Sequence, residues 1–143
     1  MHTQIRELKT KEEMLKAFPL VNLMYEKMTK EEFSRSLDEM IALSNYCMIA
    51  VFSSADEMIG VSGYWVASML YCGLYLQASN IVVSKEFRGR GLGKKILNFL
   101  EEKARKLNCK KIVLDSYTEN KKSHPLYFRE NFYIRGFHFM KDL

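Results

Sequence analysis

Residues Phe87 to Leu97 read FRGRGLGKKIL. Three glycines, Gly89, Gly91 and Gly93, stand inside five residues, and four cations, Arg88, Arg90, Lys94 and Lys95, surround them. Glycine lets successive backbone N–H groups converge with no Cβ in the way. A helix starting directly behind such a turn adds unpaired N–H groups and the positive end of its dipole. The chemistry these residues can do together is to cradle an anion, and a strand, loop and helix in this order suit a pyrophosphate. A plain strand-to-helix turn needs one glycine rather than three with four cations around them.

Two familiar phosphate patterns are excluded. The Walker A loop needs a glycine five places before Gly93 and a Ser or Thr after the lysine; Arg88 and Lys95 stand there. The dinucleotide pattern G-x-G-x-x-G needs a third glycine at Lys94 or Ile96, depending on the starting pair. Metal and thiol chemistry have little support. Cys47, Cys72 and Cys109 are far apart, form no CxxC and have no histidine at metal spacing, so they read as reduced thiols in or near the core. No metal is expected.

The elements that must position the loop follow from periodicity and punctuation. QIRELK, residues 4–9, alternates and predicts a strand. TKEE at Thr10 and again at Thr29 spells two capping boxes, each opening a helix. The first helical stripe, Met14, Ala17, Phe18, Val21 and Tyr25, is interrupted by Pro19, which should kink or split it. YCMIAVFSS, MIGVSGYWVASML and GLYLQASNIVV read as three antiparallel strands, the first two joined by a hairpin at Ala55 to Glu57. The glycine loop then feeds a helix with Leu92, Ile96, Leu97, Leu100, Ala104 and Leu107 on one face. KKIVLD reads as a buried strand, a short helix covers Pro125 to Glu130, and RGFHFMKDL reads as a last strand. The predicted order is β-α-α-β-β-β-α-β-α-β: an α/β (α+β) domain spanning 1–143, with a central mixed, mostly antiparallel sheet flanked by helices.

Composition bounds the partners. A net charge of +5 on 143 residues suits an anionic ligand. The second basic group, Lys103, Arg105, Lys106, Lys110 and Lys111, alternates with acids and apolar residues as a solvated helix face does. Aromatics lie within apolar strands rather than between cations, so no nucleic acid is expected. No apolar run is long enough to span a bilayer, and MHTQIRELKT carries no apolar h-region, so a cytoplasmic protein off the membrane is expected, as monomer or homodimer.

Arg-x-x-Gly-x-Gly, as Arg88, Gly91 and Gly93, resembles the loop of the GNAT superfamily of N-acetyltransferases. The likeness extends to the apolar strand before it, Ile81, Val82 and Val83, and to a later segment with Asn120, Ser123, Leu126, Tyr127, Asn131 and Phe132 at the family's spacings. LDSYTENKKSHPLYFRENF is similar to a subgroup with Leu-Asp-Ser before that segment and a histidine three places before the tyrosine. Ser123 stands for the usual alanine and Asn131 for the usual glycine; Pro125 implies that the last helix starts near Ser123.

The resemblance implies acetyl-CoA as co-substrate and a direct, sequential transfer of its acetyl group to the primary amine of a small molecule or peptide. It implies pyrophosphate binding by Arg88, Gly89, Arg90, Gly91, Leu92, Gly93 and Lys94. It further implies pantetheine binding by the backbone of Ile81, Val82 and Val83, and a cofactor role for Asn120 and Ser123. Tyr127 matches the family's general acid, which would protonate the departing thiolate. The carboxylate that members often carry at the end of the third β-block strand is replaced by Ser79 and Asn80, so the base is open between Asp115, His124, His138 and a water chain. Tyr25, Met28, Tyr64 and Trp65 are candidate walls for the acceptor. The missing carboxylate also leaves a catalytically silent acyl-CoA-binding or sensor domain as the alternative.

Overall fold

The computed structural model describes the whole chain, Met1–Leu143. Its elements run β1 (Thr3–Leu8), α1 (Lys11–Leu15), α2 (Phe18–Val21), α3 (Lys30–Ser44), β2 (Cys47–Ser53), β3 (Met58–Met69), β4 (Gly73–Val83), α4 (Leu92–Lys106), β5 (Lys111–Leu114) and α5 (His124–Arg129), with a single 3₁₀ turn at Lys85–Phe87.

Local chemistry sets the helix starts. At Thr29 both halves of the capping box form: Thr29 Oγ1 accepts from Glu32 N–H, and the Glu32 carboxylate accepts from Thr29 N–H. At Thr10 only the first half forms, and the Glu13 carboxylate accepts instead from Lys9 N–H at 2.6 Å. Pro19 divides the first stripe into α1 and α2, because its ring fits a first helical turn and not an interior.

The five strands lie in chain order, β1-β2-β3-β4-β5, each antiparallel to the next except for β5, which runs parallel to β4. Strand alternation builds a core on each face. Met48, Ala50 and Phe52 of β2 face α1, α2 and α3, among Met14, Leu20, Phe33 and Leu37. Ile49 and Val51 face α4, among Leu92, Ile96 and Leu100. Each fully buried side chain of this kind contributes about 1.5–3 kcal/mol.

Two expectations are corrected. KKIVLD forms β5, but at the sheet edge with half-buried side chains, since β4 is its only partner. RGFHFMKDL pairs with no strand, and no residue beyond Phe132 makes a backbone hydrogen bond. Alternation supplies the pattern of a strand but not the neighbour that a strand requires.

Candidate acyl-transfer site

The β3–β4 ladder contains an irregularity. β3 advances two residues, from Val61 to Gly63, where β4 goes back three, from Val82 to Ser79. The extra residue is a bulge at Asn80, which takes a left-handed backbone (φ 52°). On the other side, β5 pairs with β4 only up to Ala78 and Leu114. Beyond that rung the two parallel strands part. The stretch of β4 from Ser79 to Val83 therefore keeps β3 as its neighbour but has none on the β5 side. Its side chains are used in packing: Val82 joins the core under α1 to α3, while Ile81 and Val83 pack towards α4. Its β5-side edge is free to donate and accept backbone hydrogen bonds.

The glycine loop follows this free stretch of β4 in the chain, after the 3₁₀ turn. Arg88 is extended, and its Nε donates to the carbonyl of Val83 at 3.2 Å, tying the loop to the strand end. Gly89 (φ 73°) and Gly91 (φ 78°) are left-handed, and a Cβ on either would meet nothing within 4 Å. Gly91 caps α4 without any side-chain hydrogen bond, so the first-turn N–H groups of Leu92, Gly93 and Lys94 have no side-chain acceptor at the cap. Gly93 has a different role: a Cβ there would come within 2.8 Å of Leu126 Cδ2, so the glycine allows α5 to lie against the start of α4.

The cations divide. Lys95 donates to the Thr3 carbonyl at 2.9 Å and also to its hydroxyl, so it anchors β1. Lys94 pairs with Glu130 at 3.3 Å, and Arg90 lies 5.2 Å over the Phe87 ring. Arg88 and Arg90 are exposed beside the open glycines.

Tyr127 sits on α5, half-buried, with its ring edge-on to Phe132 at 6.1 Å. Burial raises its phenol above the ordinary value, and the Ser123 side chain partly offsets this. The group therefore holds its proton through neutral pH, as an acid must. Asn120 and Ser123 bond each other, Oγ to Oδ1 at 3.2 Å, in the turn before α5, and Pro125 occupies the first turn of that helix.

Among the wall candidates, Tyr25, Met28 and Trp65 gather on the face of α1 to α3. Asn22 pins that wall by donating to the carbonyls of Tyr25 (3.0 Å) and Met28 (3.2 Å). Tyr64 does not join them. Alternation in β3 turns it to the α4 face, where it is buried and donates to Glu7 at 2.6 Å. Its neighbour Trp65 could be assigned a face from sequence only once the register of β3 was known.

A hydrogen-bonded cluster at the bulge was not anticipated. Asn80 Oδ1 accepts from Tyr46 (3.1 Å) and Ser79 (3.0 Å), while its Nδ2 donates to the Tyr25 hydroxyl at 2.9 Å. Burial raises the Tyr25 phenol, and so does the nearby Tyr117 phenol from the segment after β5. Tyr25 also lines an open cleft of about 840 Å³ between the α2–α3 connection and α3, with Met28, Glu32 and Arg35. The only sequence signal for the bulge is that asparagine tolerates a left-handed backbone.

The three base candidates lie around the end of β5. Asp115 accepts from Gln77 Nε2 at 3.4 Å and faces His138 Nδ1 at 3.6 Å. His124 Nε2 is engaged with Ser116 Oγ (3.1 Å) and the Tyr117 carbonyl (3.0 Å). No group of three or more His, Cys, Asp or Glu side chains could hold a metal ion, and no helix is long and apolar enough to cross a membrane.

Parallel strands that part, a bulged β4 and a glycine-built helix start thus stand together, leaving a free strand edge next to an uncapped helix N-terminus. The Acetyltransferase (GNAT) family model matches residues 13–132, and the chain belongs to that family. The sequence is similar to glucosamine 6-phosphate N-acetyltransferase of Arabidopsis thaliana, 31% identical over 97 residues, which is 65% of each chain. The chain thus matches just under two thirds of that relative's length. The crystal structure of the Arabidopsis enzyme superposes with a TM-score of 0.74 at 23% identity, covering 99% of both chains. Aminoglycoside N-acetyltransferase AAC(6')-Iy, solved in complex with CoA, superposes with a TM-score of 0.78 at 16% identity, covering 99% of this chain and 96% of that one. Both superpositions speak for the fold.

Proposed function

We propose that this protein moves an acetyl group from acetyl-CoA to the primary amine of a small molecule or peptide, by direct transfer with no covalent enzyme intermediate. The observation that carries this reading is the stretch of β4 beyond Ala78 that has no β5 partner, leading into an α4 start whose N–H groups have no side-chain cap. The residues present fit CoA: the open space at Gly89 and Gly91 lets phosphate oxygens reach the backbone, and Arg88, Arg90 and Lys94 supply charge. The edge of Ile81, Val82 and Val83 offers hydrogen bonds to an amide-bearing pantetheine arm. Asn120 and Ser123 would flank it from the α5 side.

An amine attacking a thioester must lose a proton, and the departing thiolate must gain one. Tyr127 supplies the second proton, since its half-buried phenol is protonated at working pH. The first goes to water or to Asp115, His124 or His138. Tyr25, Met28 and Trp65 wall the acceptor, and the Tyr25 cleft admits it. The amino-sugar substrate in the Arabidopsis relative's name supports a small primary amine.

The absence of a carboxylate at Ser79 and Asn80 favours, as second reading, an acyl-CoA binder without turnover. One experiment separates the two. CoA release from acetyl-CoA is followed across amino sugars, polyamines, aminoglycosides and peptides, for wild type and Tyr127→Phe. Transfer by wild type, with turnover falling about 10²–10⁴-fold in the variant at unchanged CoA affinity, supports the enzyme with this acid. Thermal stabilisation by CoA with no release for any amine establishes the binder. No stabilisation by CoA sinks both.

A further inference from the structure

The hydrogen-bonded cluster at the β4 bulge has a direction. Tyr46 is buried, and its hydroxyl hydrogen meets one acceptor, Asn80 Oδ1 at 3.1 Å. Were the Asn80 amide turned over, its Nδ2 would face that hydrogen and leave a buried donor without an acceptor. Ser79 Oγ donates to the same oxygen at 3.0 Å. The two hydroxyls fill both lone pairs of Oδ1, so Nδ2 faces the other way and donates to Tyr25 Oη at 2.9 Å.

Tyr25 Oη therefore receives a hydrogen bond from the protein and gives none. Burial raises its phenol, so the hydroxyl hydrogen stays in place through neutral pH and is left to donate. The residue is half-buried and lines the cleft of about 840 Å³ at the α2–α3 connection, with Met28 and Arg35 among the other walls. Its partner Asn80 lies near the start of the stretch of β4 that has no β5 neighbour. An O–H donor at this place does not serve the attacking amine itself. An ammonium has no lone pair to accept the hydrogen. Once the amine is neutral, its one lone pair must be kept for the thioester carbon. The partner of the Tyr25 hydroxyl is then a second atom of the acceptor, and a neutral oxygen is the acceptor that matches a neutral phenol.

We propose that Tyr25 determines acceptor specificity: its hydroxyl donates to a hydroxyl or carbonyl oxygen carried beside the acceptor's amine, and Tyr46 and Asn80 set the direction of that donation. This assignment rests on the acetyl-transfer reading above and narrows its acceptor class. Amino sugars, amino alcohols and amino-acid amides carry such an oxygen; alkyl amines and polyamines do not. An acceptor that lacks it leaves the O–H unpaired in a half-buried place, which is how a polar site rejects an analogue. Tyr25 touches the acceptor, whereas Asn80 and Tyr46 are positioning residues that act through it.

The test compares glucosamine with cyclohexylamine, a ring amine without oxygen, as acceptors for wild type, Tyr25→Phe and Asn80→Asp. CoA release at saturating acetyl-CoA gives kcat/KM for each amine. The two amines differ in basicity, so the quantity read is the change in their kcat/KM ratio on substitution. In Tyr25→Phe the ratio of glucosamine to cyclohexylamine should fall by about 3–10-fold, the worth of one hydrogen bond between neutral groups. Asn80→Asp keeps the shape, and aspartate also tolerates the left-handed backbone. Its carboxylate accepts from Tyr25 and turns the O–H inward, so the ratio should fall likewise with the Tyr25 ring still in place. CoA titration and circular dichroism should match wild type for both variants. An unchanged ratio in Tyr25→Phe overturns the proposal. So does an equal loss for both amines, which would put the hydroxyl on the thioester or in the packing. A ratio that falls in Tyr25→Phe but not in Asn80→Asp overturns the part given to Asn80. Refusal of glucosamine by a wild type that acetylates other amines overturns the proposal too, and leaves acetyl transfer standing. If wild type releases CoA with no amine at all, acetyl transfer itself falls, and this assignment falls with it.

Discussion

Gly63 lies in β3 opposite Met48, and the ring of the buried Tyr46 rests directly on it. A Cβ at this position would overlap Tyr46 Oη, Cζ and Cε2. The ring is walled by Trp65, 6.4 Å away between centroids, and tethered to Asn80, so it cannot swing to solvent. Gly63→Ala therefore forces the ring out of place. Overpacking of this kind costs about 1–3 kcal/mol. Displacing Tyr46 also strands a buried hydrogen-bonding group, for about 1–3 kcal/mol more. The combined loss is about 2–6 kcal/mol, and at roughly 2–4 °C per kcal/mol the melting temperature should fall by roughly 4–24 °C. Urea denaturation followed by circular dichroism measures the loss. In a Tyr46→Val background the same alanine has room. There it should be neutral or stabilising by about 0.5–1 kcal/mol, since glycine is a poor strand residue. A single variant within about 0.5 kcal/mol of wild type would refute the reasoning. So would an equal cost in both backgrounds, because contact between the two side chains must appear as coupling.

Gly91→Val places a β-branched residue at φ 78° in front of α4, where no protein atom obstructs it. The fold should survive with a strain cost of about 1–3 kcal/mol, while calorimetric titration detects no CoA binding at concentrations that saturate wild type; an unchanged affinity would place the cradle elsewhere. Glu7 is held below the ordinary carboxylate value of 4.5, first by the Lys103 ammonium and then by the Tyr64 hydroxyl. Its contribution is complete above pH 4.5 and is lost as pH falls through the lowered value, so Glu7→Gln should be less stable than wild type at neutral pH and the gap should close on acidification. A gap that is constant with pH would rule out the charge as its source.

Much of this protein is written in short-range patterns. The Thr29 capping box, the split at Pro19 and the apolar face of α4 each depend on residues within a turn or two of one another, so a local reading reaches them. The glycine loop is legible for the same reason: its donors, its positive φ angles and its cations lie on consecutive residues. What the sequence could not assign depends on partners far along the chain. Tyr64 and Trp65 are neighbours of similar character, and only the register of β3 sends one beneath α4 and the other beneath α1 to α3. Gly93 is needed because Leu126 arrives from α5, and Gly63 because Tyr46 arrives from before β2. Asn80 becomes the centre of a network because Tyr25 and Tyr46 converge on it from two other elements. The tail gives the opposite case: its alternation is that of a strand, but a strand exists only where an edge receives it, and this one is left without a ladder.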